Sequence, residues 1–156
     1  MTGHEEFAGL PPQARAVQGR RAGPVTRGLA NVIDSALVIL LLVLTGVTLS
    51  LVNAALDRDS DVSPLALIGL YGSVAWVYLA VAWATVGSTY GQSLMGIRVV
   101  SRHGTRLPPL RAAARATLCV FFPWLWFWIL VSPRQLTPFD LAVGSQVVYD
   151  WQHRRR

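Results

Sequence analysis

Residues 26–52, TRGLANVIDSALVILLLVLTGVTLSLV, contain an apolar run that decides the fold class. From Ser35 to Val52 no residue carries a charge. A helix over these residues is about 27 Å long, close to the roughly 30 Å hydrocarbon core of a bilayer. The pattern therefore predicts a transmembrane helix.

One face of this predicted helix is polar. Arg27 and Asp34 are seven residues apart, which places them on nearly the same face, about 10 Å apart along the axis. Asn31 lies between them on that face, and Thr45 and Thr48 extend it. Because ionisable side chains at membrane depth normally face protein or a water-filled cavity, we expect this face to contact neighbouring helices.

The composition is typical of a membrane protein of one domain. Of its 156 residues, 53% are hydrophobic and only 14% are charged. The 14 cationic residues are all arginines that flank apolar runs, so membrane topology explains the net charge of +6 better than nucleic-acid binding does. Cys119 is the one cysteine, and we interpret it as a packing residue.

A second apolar run, residues 64–87, predicts a second span that begins at Pro64. Small residues share one face of it: Gly69, Ser73, Ala80, Ala84 and Gly87. Such a stripe lets another helix approach closely, and we expect the first span to be that partner. Trp76, Tyr78 and Trp83 are interpreted as packing or interfacial aromatics and not as a cofactor cage.

The loop between the two spans is acidic. Asp57, Asp59 and Asp61 match the first three ligand positions of an EF-hand loop. Val62 replaces the required glycine and Ile68 the bidentate glutamate, so a solvated loop is favoured over a calcium site.

The distribution of arginine predicts the topology. By the positive-inside rule, residues 53–63 are external. The segments predicted to be cytoplasmic are residues 1–26, 88–111 and 132–156. Residues 1–25, rich in Gly, Pro and Arg, predict a disordered cytoplasmic tail, and residues 150–156 a basic C-terminal tail.

The segment after the second span predicts small cytoplasmic β-strands. GQSLMG, residues 91–96, has the glycine spacing of a phosphate loop, but Ile97 and Arg98 stand where lysine and serine or threonine are needed, which excludes nucleotide hydrolysis. GIRVV, residues 96–100, is rich in β-branched residues and GSQVV, residues 144–148, repeats its pattern. The two runs could pair as strands.

The third apolar segment, residues 112–131, is broken by Pro123. Two interpretations stay open: a kinked third span, or a short helical hairpin that enters and leaves on the cytoplasmic side. Its three tryptophans favour an interfacial depth, and Arg134 with the terminal arginines favours a cytoplasmic tail, so the hairpin is preferred. The predicted fold class is mainly α and integral to the membrane, with two long transmembrane helices.

Over residues 26–149 the chain resembles the RDD family of small integral membrane proteins, which is named for an arginine and two aspartates. RGLANVIDSALV holds the matching Arg27 and Asp34, and TPFDLAVGSQVV implies that Asp140 is the second aspartate. YGQSLMGIRVVSRHG is similar to the family's central stretch, with motif residues Gly91, Gly96, Arg98 and Gly104. Leu141 stands where an arginine commonly follows the aspartate, which leaves the charge partner of Asp140 open.

The resemblance implies no assigned activity, although cation/proton exchange has been proposed for some members. No nucleophile, metal set or acid–base pair converges in the sequence, so we expect neither an enzyme nor a cofactor or metal site. The first hypothesis is a structural or accessory subunit. In it, a charge cluster at the cytoplasmic end of the helices locks the strands to them. The residues of that cluster are Arg27, Asn31, Asp34 and Asp140.

The alternative hypothesis is an ion transporter subunit in which Asp34 binds a proton or monovalent cation and Arg27 controls its charge. Asp34 lies near the cytoplasmic edge of its span and not at the midplane, where transporter sites usually lie, so the structural hypothesis is preferred. The expected location is the cell membrane, as a multi-pass protein with a cytoplasmic N-terminus. Expected partners are the lipid bilayer and either a second copy or another membrane protein, and not nucleic acid.

Overall fold

The computed structural model of the protein describes residues 16–56, 63–132 and 136–150, apart from the side chain of Leu130. Over these residues the chain is mainly helical, with one pair of short strands. Three predicted segments lie wholly or partly outside the described residues: the acidic loop at residues 57–62, the N-terminal tail over residues 1–15 and the basic C-terminal tail over residues 151–156.

Two long helices contain the first two apolar runs. Helix α1 spans Pro24–Ala55 and helix α2 spans Pro64–Thr85. Each begins with proline, whose missing N–H costs nothing in a first turn. The Ser63 hydroxyl caps α2 by accepting a hydrogen bond from the Ala66 amide at 3.2 Å. By length and composition, both helices are able to cross a membrane.

The remaining described elements are short. They are α3 (Tyr90–Leu94), β1 (Ile97–Ser101), α4 (Pro109–Phe121), a 3-10 helix (Pro123–Phe127), α5 (Trp128–Val131), α6 (Pro138–Val143) and β2 (Ser145–Tyr149). Thr89 caps the N-terminus of α3 and Thr137 that of α6, each with a reciprocal capping box. Because helices of this length are unstable alone, the caps and the tertiary contacts hold them.

Strands β1 and β2 pair antiparallel, with Arg98 opposite Val148 and Val99 opposite Val147. This confirms the short strands predicted from the repeated glycine-led sequence. Both valines of the second pair are buried, at 0% and 1% exposed, so the register puts one face of the ribbon into the core.

The segment before α1 runs along the opposite edge of β2. The Gly19 amide donates to the Tyr149 carbonyl and the Ala22 amide to the Val147 carbonyl, both at 2.9 Å. Residues 19–22 are therefore ordered, whereas the sequence predicted disorder for them. The reason is that their backbone groups pair with those at the edge of β2. The domain limits of residues 26–149 stay a prediction.

Helix α4 packs antiparallel to α2. The guanidinium of Arg115 lies 4.4 Å from the ring centroid of Trp83, near the end of α2. Further along α4, the Thr117 hydroxyl accepts a hydrogen bond from the indole N–H of Trp76 at 2.9 Å. Residues later in α4 thus meet residues earlier in α2.

The chain then turns back at Pro123. This proline starts the 3-10 helix and not a continuation of α4, and the Trp126 ring packs against Gly28 in the first turns of α1. Helix α4 has 13 residues and is about 20 Å long, which is too short to cross a bilayer. In the structure the third apolar segment is thus divided at Pro123 into short helices, and the choice between a hairpin and a kinked third span stays a prediction.

The core lies at one end of the two long helices. The buried residues of α1 are all in its first half, and those of α2, Ala80 and Trp83, are near its last turn. The core hydrophobic residues are Ala22, Ala30, Ala80, Trp83, Ile97, Val99, Leu107, Ala112, Ala116 and Val147. Beyond this core, α1 and α2 expose leucine, isoleucine and valine over most of their length. Such apolar helices suggest a membrane environment.

The small-residue face of α2 packs differently from the prediction. Gly72 faces Val120 of α4, at 3.7 Å from the position of an added Cβ, whereas the space around Gly69 is open. A cavity of about 930 Å³ lies between α1 and α2 along this face. The close packing that was expected for this face is absent at Gly69, and Gly72, beside the predicted stripe, packs on α4.

Candidate functional site

Asp140 is the centre of the site, and its side chain is fully buried. It lies in the first turn of α6, where the Thr137 amide donates to its Oδ2 atom at 3.2 Å. The Ser145 hydroxyl donates to Oδ1, also at 3.2 Å. Gly144 ends the helix in the left-handed conformation, with φ of 65°, so the chain turns directly from α6 into β2. The position of the carboxylate is thus set by the elements on both sides of it.

Each oxygen of this carboxylate also accepts a hydrogen bond from an arginine. Nη1 of Arg27, from α1, lies 2.7 Å from Oδ2, and Nη2 of Arg115, from α4, lies 2.7 Å from Oδ1. Both arginine side chains are buried, at 5% and 6% exposed. The arginine–aspartate cluster, Arg27, Arg115 and Asp140, therefore joins α1, α4 and α6.

The electrostatics of the cluster keep Asp140 ionised. Burial alone would raise the pKa of Asp140, but the positive charges of Arg115 and Arg27 outweigh it and lower the pKa to about 2. The Nε and Nη1 atoms of Arg115 have no hydrogen-bond acceptor among the described residues. The stacking of its guanidinium on Trp83 offsets part of that cost.

Asp34 occupies a second, separate polar site. Its Oδ1 atom accepts hydrogen bonds from the Tyr78 hydroxyl and the Gly91 amide, both at 2.8 Å. Its Oδ2 atom accepts one from the Thr89 hydroxyl at 2.5 Å. Asp34 thus ties α1 to α2 and to the start of α3 through neutral donors.

The structure divides the predicted charge cluster, because Arg27 contacts Asp140 whereas Asp34 binds only neutral donors. The guanidinium of Arg27 turns to Asp140, because a direct partner at 2.7 Å is available across the fold whereas Asp34 lies two turns along the same helix. Asn31 lines the cavity between α1 and α2 and belongs to neither site. Thr45 and Thr48 donate to carbonyls of their own helix at 2.8 Å and are exposed, so the polar stripe ends before them.

The four motif residues have separate roles. A Cβ on Gly91 would overlap the carbonyl oxygen of Ala30, so glycine allows α3 to touch α1. Gly96 and Gly104 adopt φ of 63° and 77° and turn the chain at either end of β1. Nη1 of Arg98 lies 3.6 Å from the Asp150 carboxylate, beyond the far end of β2. They shape the framework around the two aspartates and do not contact them, apart from Gly91.

Sequence reasoning missed Arg115 as a site residue, along with the donors to Asp34, Thr89 and Tyr78. A signal for Arg115 was present, since it is the one charge in the apolar run of residues 112–131. For Thr89 and Tyr78 we find no comparable signal, because a hydroxyl on an apolar helix or before a short one is common.

A cavity beside the two aspartate sites is the place where a ligand could bind. The cavity of about 930 Å³ is mostly apolar, with Arg27, Asn31, Asp34 and Ser35 of α1 on its wall. Within the described ranges, no group of three or more His, Cys, Asp or Glu side chains is placed to hold a metal ion.

The RDD family model matches residues 21–144 of the chain. No curated protein and no solved structure shows significant similarity to it. The family match confirms the resemblance drawn from the arginine and aspartate motifs, and together with the two apolar helices it fits a membrane protein. Since the match covers most of the sequence, the chain belongs to the RDD family.

Proposed function

We propose that the protein is a structural or accessory subunit of the cell membrane, without enzymatic activity. The arginine–aspartate cluster in this proposal fixes two parts of the chain to the cytoplasmic ends of two transmembrane helices. These parts are the strand pair and a hairpin made of α4 and the short helices that follow it. A second copy or another membrane protein would contact the exposed faces of α1 and α2.

The observation that carries the proposal is the complete engagement of Asp140. A carboxylate that carries a proton or a cation must be able to release its other partners. Asp140 instead holds two arginines at 2.7 Å, and its low pKa keeps it charged throughout the physiological range. Such a cluster supports a fixed joint between elements.

The proposed orientation of the protein in the membrane follows from the distribution of its arginines. The strand end of the molecule carries Arg98, Arg102, Arg106 and Arg111, and the positive-inside rule assigns that end to the cytoplasm. The N-terminus and the strands are then cytoplasmic, and the link between α1 and α2 is external.

The second candidate is a cation/proton transporter subunit, favoured by the position of Asp34 on the wall of the cavity. Reconstitution in vesicles with an internal pH dye tests both candidates. After a pulse of sodium or potassium, we expect the wild-type protein to move no more protons than empty vesicles do.

The matched variants for this assay are Asp34→Asn and Asp150→Asn, each of which removes one carboxylate. Cation-dependent proton flux that persists in Asp150→Asn but disappears in Asp34→Asn would overturn the accessory proposal and establish transport through Asp34.

A further inference from the structure

We propose that Arg102 and Arg111 form a binding site for the phosphate of an anionic phospholipid, in the leaflet at the strand end of the long helices. This inference rests on the membrane placement given in the proposed function, and it goes beyond it by naming a lipid ligand and its site.

The two guanidinium groups converge on one point of the surface. From the position that a Cβ of Gly144 would take, Nε of Arg102 lies at 3.8 Å and Nη1 of Arg111 at 4.0 Å. Arg102 is held there because its amide donates to the Gly144 carbonyl at 3.0 Å and its Nη2 donates to the Leu141 carbonyl at 3.2 Å. Two neighbouring cations repel each other, so an anion that bridges them is favoured.

No described carboxylate fills that role. The described part of the chain contains three aspartates, and each has partners elsewhere: Asp34 binds neutral donors, Asp140 binds two other arginines, and Asp150 pairs with Arg98. The salt bridges among the described residues include neither Arg102 nor Arg111. Both arginines are exposed and remain open to an external anion.

The packing of α4 on α2 places this pair at headgroup depth. Arg115 stacks on Trp83, two residues before α2 ends at Thr85. Arg111 is one turn earlier in α4, about 6 Å further from the membrane centre. If α2 ends at the edge of the hydrocarbon, Arg111 lies in the layer that contains lipid phosphates.

Exposed leucines beside the pair favour a lipid over free phosphate. The arginines line a cavity of about 480 Å³ together with His103, Leu110 and Leu141. Leu110 is 82% exposed and Leu141 is 48% exposed. A phospholipid satisfies both features at once, because its phosphate binds the guanidinium groups and its glycerol and upper acyl carbons cover the leucines.

The test is a ligand titration of the full chain, purified in an uncharged detergent, with the unfolding temperature as the readout. The ligands are phosphatidylglycerol, phosphatidylcholine and inorganic phosphate. The test variant is Arg102→Gln/Arg111→Gln. Its control, Arg20→Gln/Arg106→Gln, removes the same charge from two other exposed arginines.

We expect phosphatidylglycerol to raise the unfolding temperature saturably in the wild type and in the control. In the test variant the apparent affinity should fall about tenfold, since two charge-assisted contacts are lost. Equal weakening in both variants would show a diffuse charge effect and overturn the site. An equal response to phosphatidylcholine, or to inorganic phosphate alone, would overturn the anionic-lipid assignment. The titration needs no ion flux, so its failure is distinct from failure of the accessory proposal.

Discussion

A buried aspartate at position 140 is tolerated because all of its acceptor capacity is used. Two arginines, a backbone amide and a serine hydroxyl donate to its two oxygens. The desolvation of the three charged groups is offset only while they remain together. Removal of one member therefore lowers the free energy of unfolding by an amount that depends on which charges remain buried without a partner.

The first prediction ranks the members of the cluster by stability. Asp140→Asn leaves two buried cations without an anion and should cost about 3 to 5 kcal/mol. Arg27→Gln leaves Asp140 paired with Arg115 and should cost about 1.5 to 3 kcal/mol. The double variant should lose less than the sum of the two, by about 1 to 3 kcal/mol, when unfolding is followed in detergent.

A second cycle is the control for this prediction. Because Arg27 and Asp34 have different partners, the losses in Arg27→Gln and Asp34→Asn should add within about 0.5 kcal/mol. A strong coupling between Arg27 and Asp34, with none between Arg27 and Asp140, would contradict the pairing of Arg27 with Asp140.

The pH dependence of stability follows from the lowered pKa of Asp140. Its pKa is about 2 in the folded state and 3.8 as the ordinary value, so its ionisation stabilises the fold above pH 4, and this stabilisation is lost as pH falls towards 2. The contribution is about 2 kcal/mol. We expect the unfolding temperature of the wild-type protein to fall for this reason only below about pH 4. The Asp140→Asn protein should lack this decrease. A loss centred near pH 6 would contradict the assignment to Asp140.

At the scale of elements, the short helices are held by what they touch. Helix α3 has five residues and lies against α1, where the Gly91 amide reaches the Asp34 carboxylate. Helix α6 has six residues and is held through Asp140. In both cases a polar contact to a long helix replaces the intrinsic stability that a short helix lacks.

The prediction at this scale concerns Gly91→Ala. The added Cβ would overlap the Ala30 carbonyl oxygen, so α3 must move away from α1, at a cost of about 1 to 3 kcal/mol. Gly46→Ala is the control, because a Cβ added to that glycine in α1 would meet no atom within 4 Å outside the backbone of its own helix. It should be neutral or stabilise by about 0.5 to 1 kcal/mol. Equal thermal unfolding of the two variants in one detergent would exclude close packing of α3 on α1.

For the whole molecule, the preferred hairpin makes a prediction about topology. The turn at Pro123 returns the chain to the start of α1, and the pairing of β1 with β2 needs both strands on the same side of the membrane. Three spans would separate the strands and break the sheet.

Cysteine labelling tests this arrangement in a Cys119→Ser background. His103→Cys and Ala142→Cys should react with a membrane-impermeant maleimide only in inverted vesicles, and Leu56→Cys only in right-side-out vesicles. All three positions are exposed, so differences in burial do not confuse the result. Opposite labelling of positions 103 and 142 would restore the third span.

Local patterns in the sequence were sufficient for the two long helices, the break at Pro123 and the two strands. Apolar length, the loss of a backbone donor at proline and runs of β-branched residues act over neighbouring residues, so they can be read without knowing the fold. The resemblance to the RDD family also pointed to Arg27, Asp34 and Asp140 as candidate site residues.

The partners of those residues were decided only by the tertiary structure. Arg27 and Asp140 are 113 residues apart in sequence, and their contact depends on how α6 and α1 meet. Asp34 and Thr89 are 55 residues apart, and Gly72 of α2 faces Val120 of α4. A buried charge or a small side chain in the sequence indicates that a contact is needed. Many pairings would satisfy that local requirement, so the partner is decided by which elements pack together.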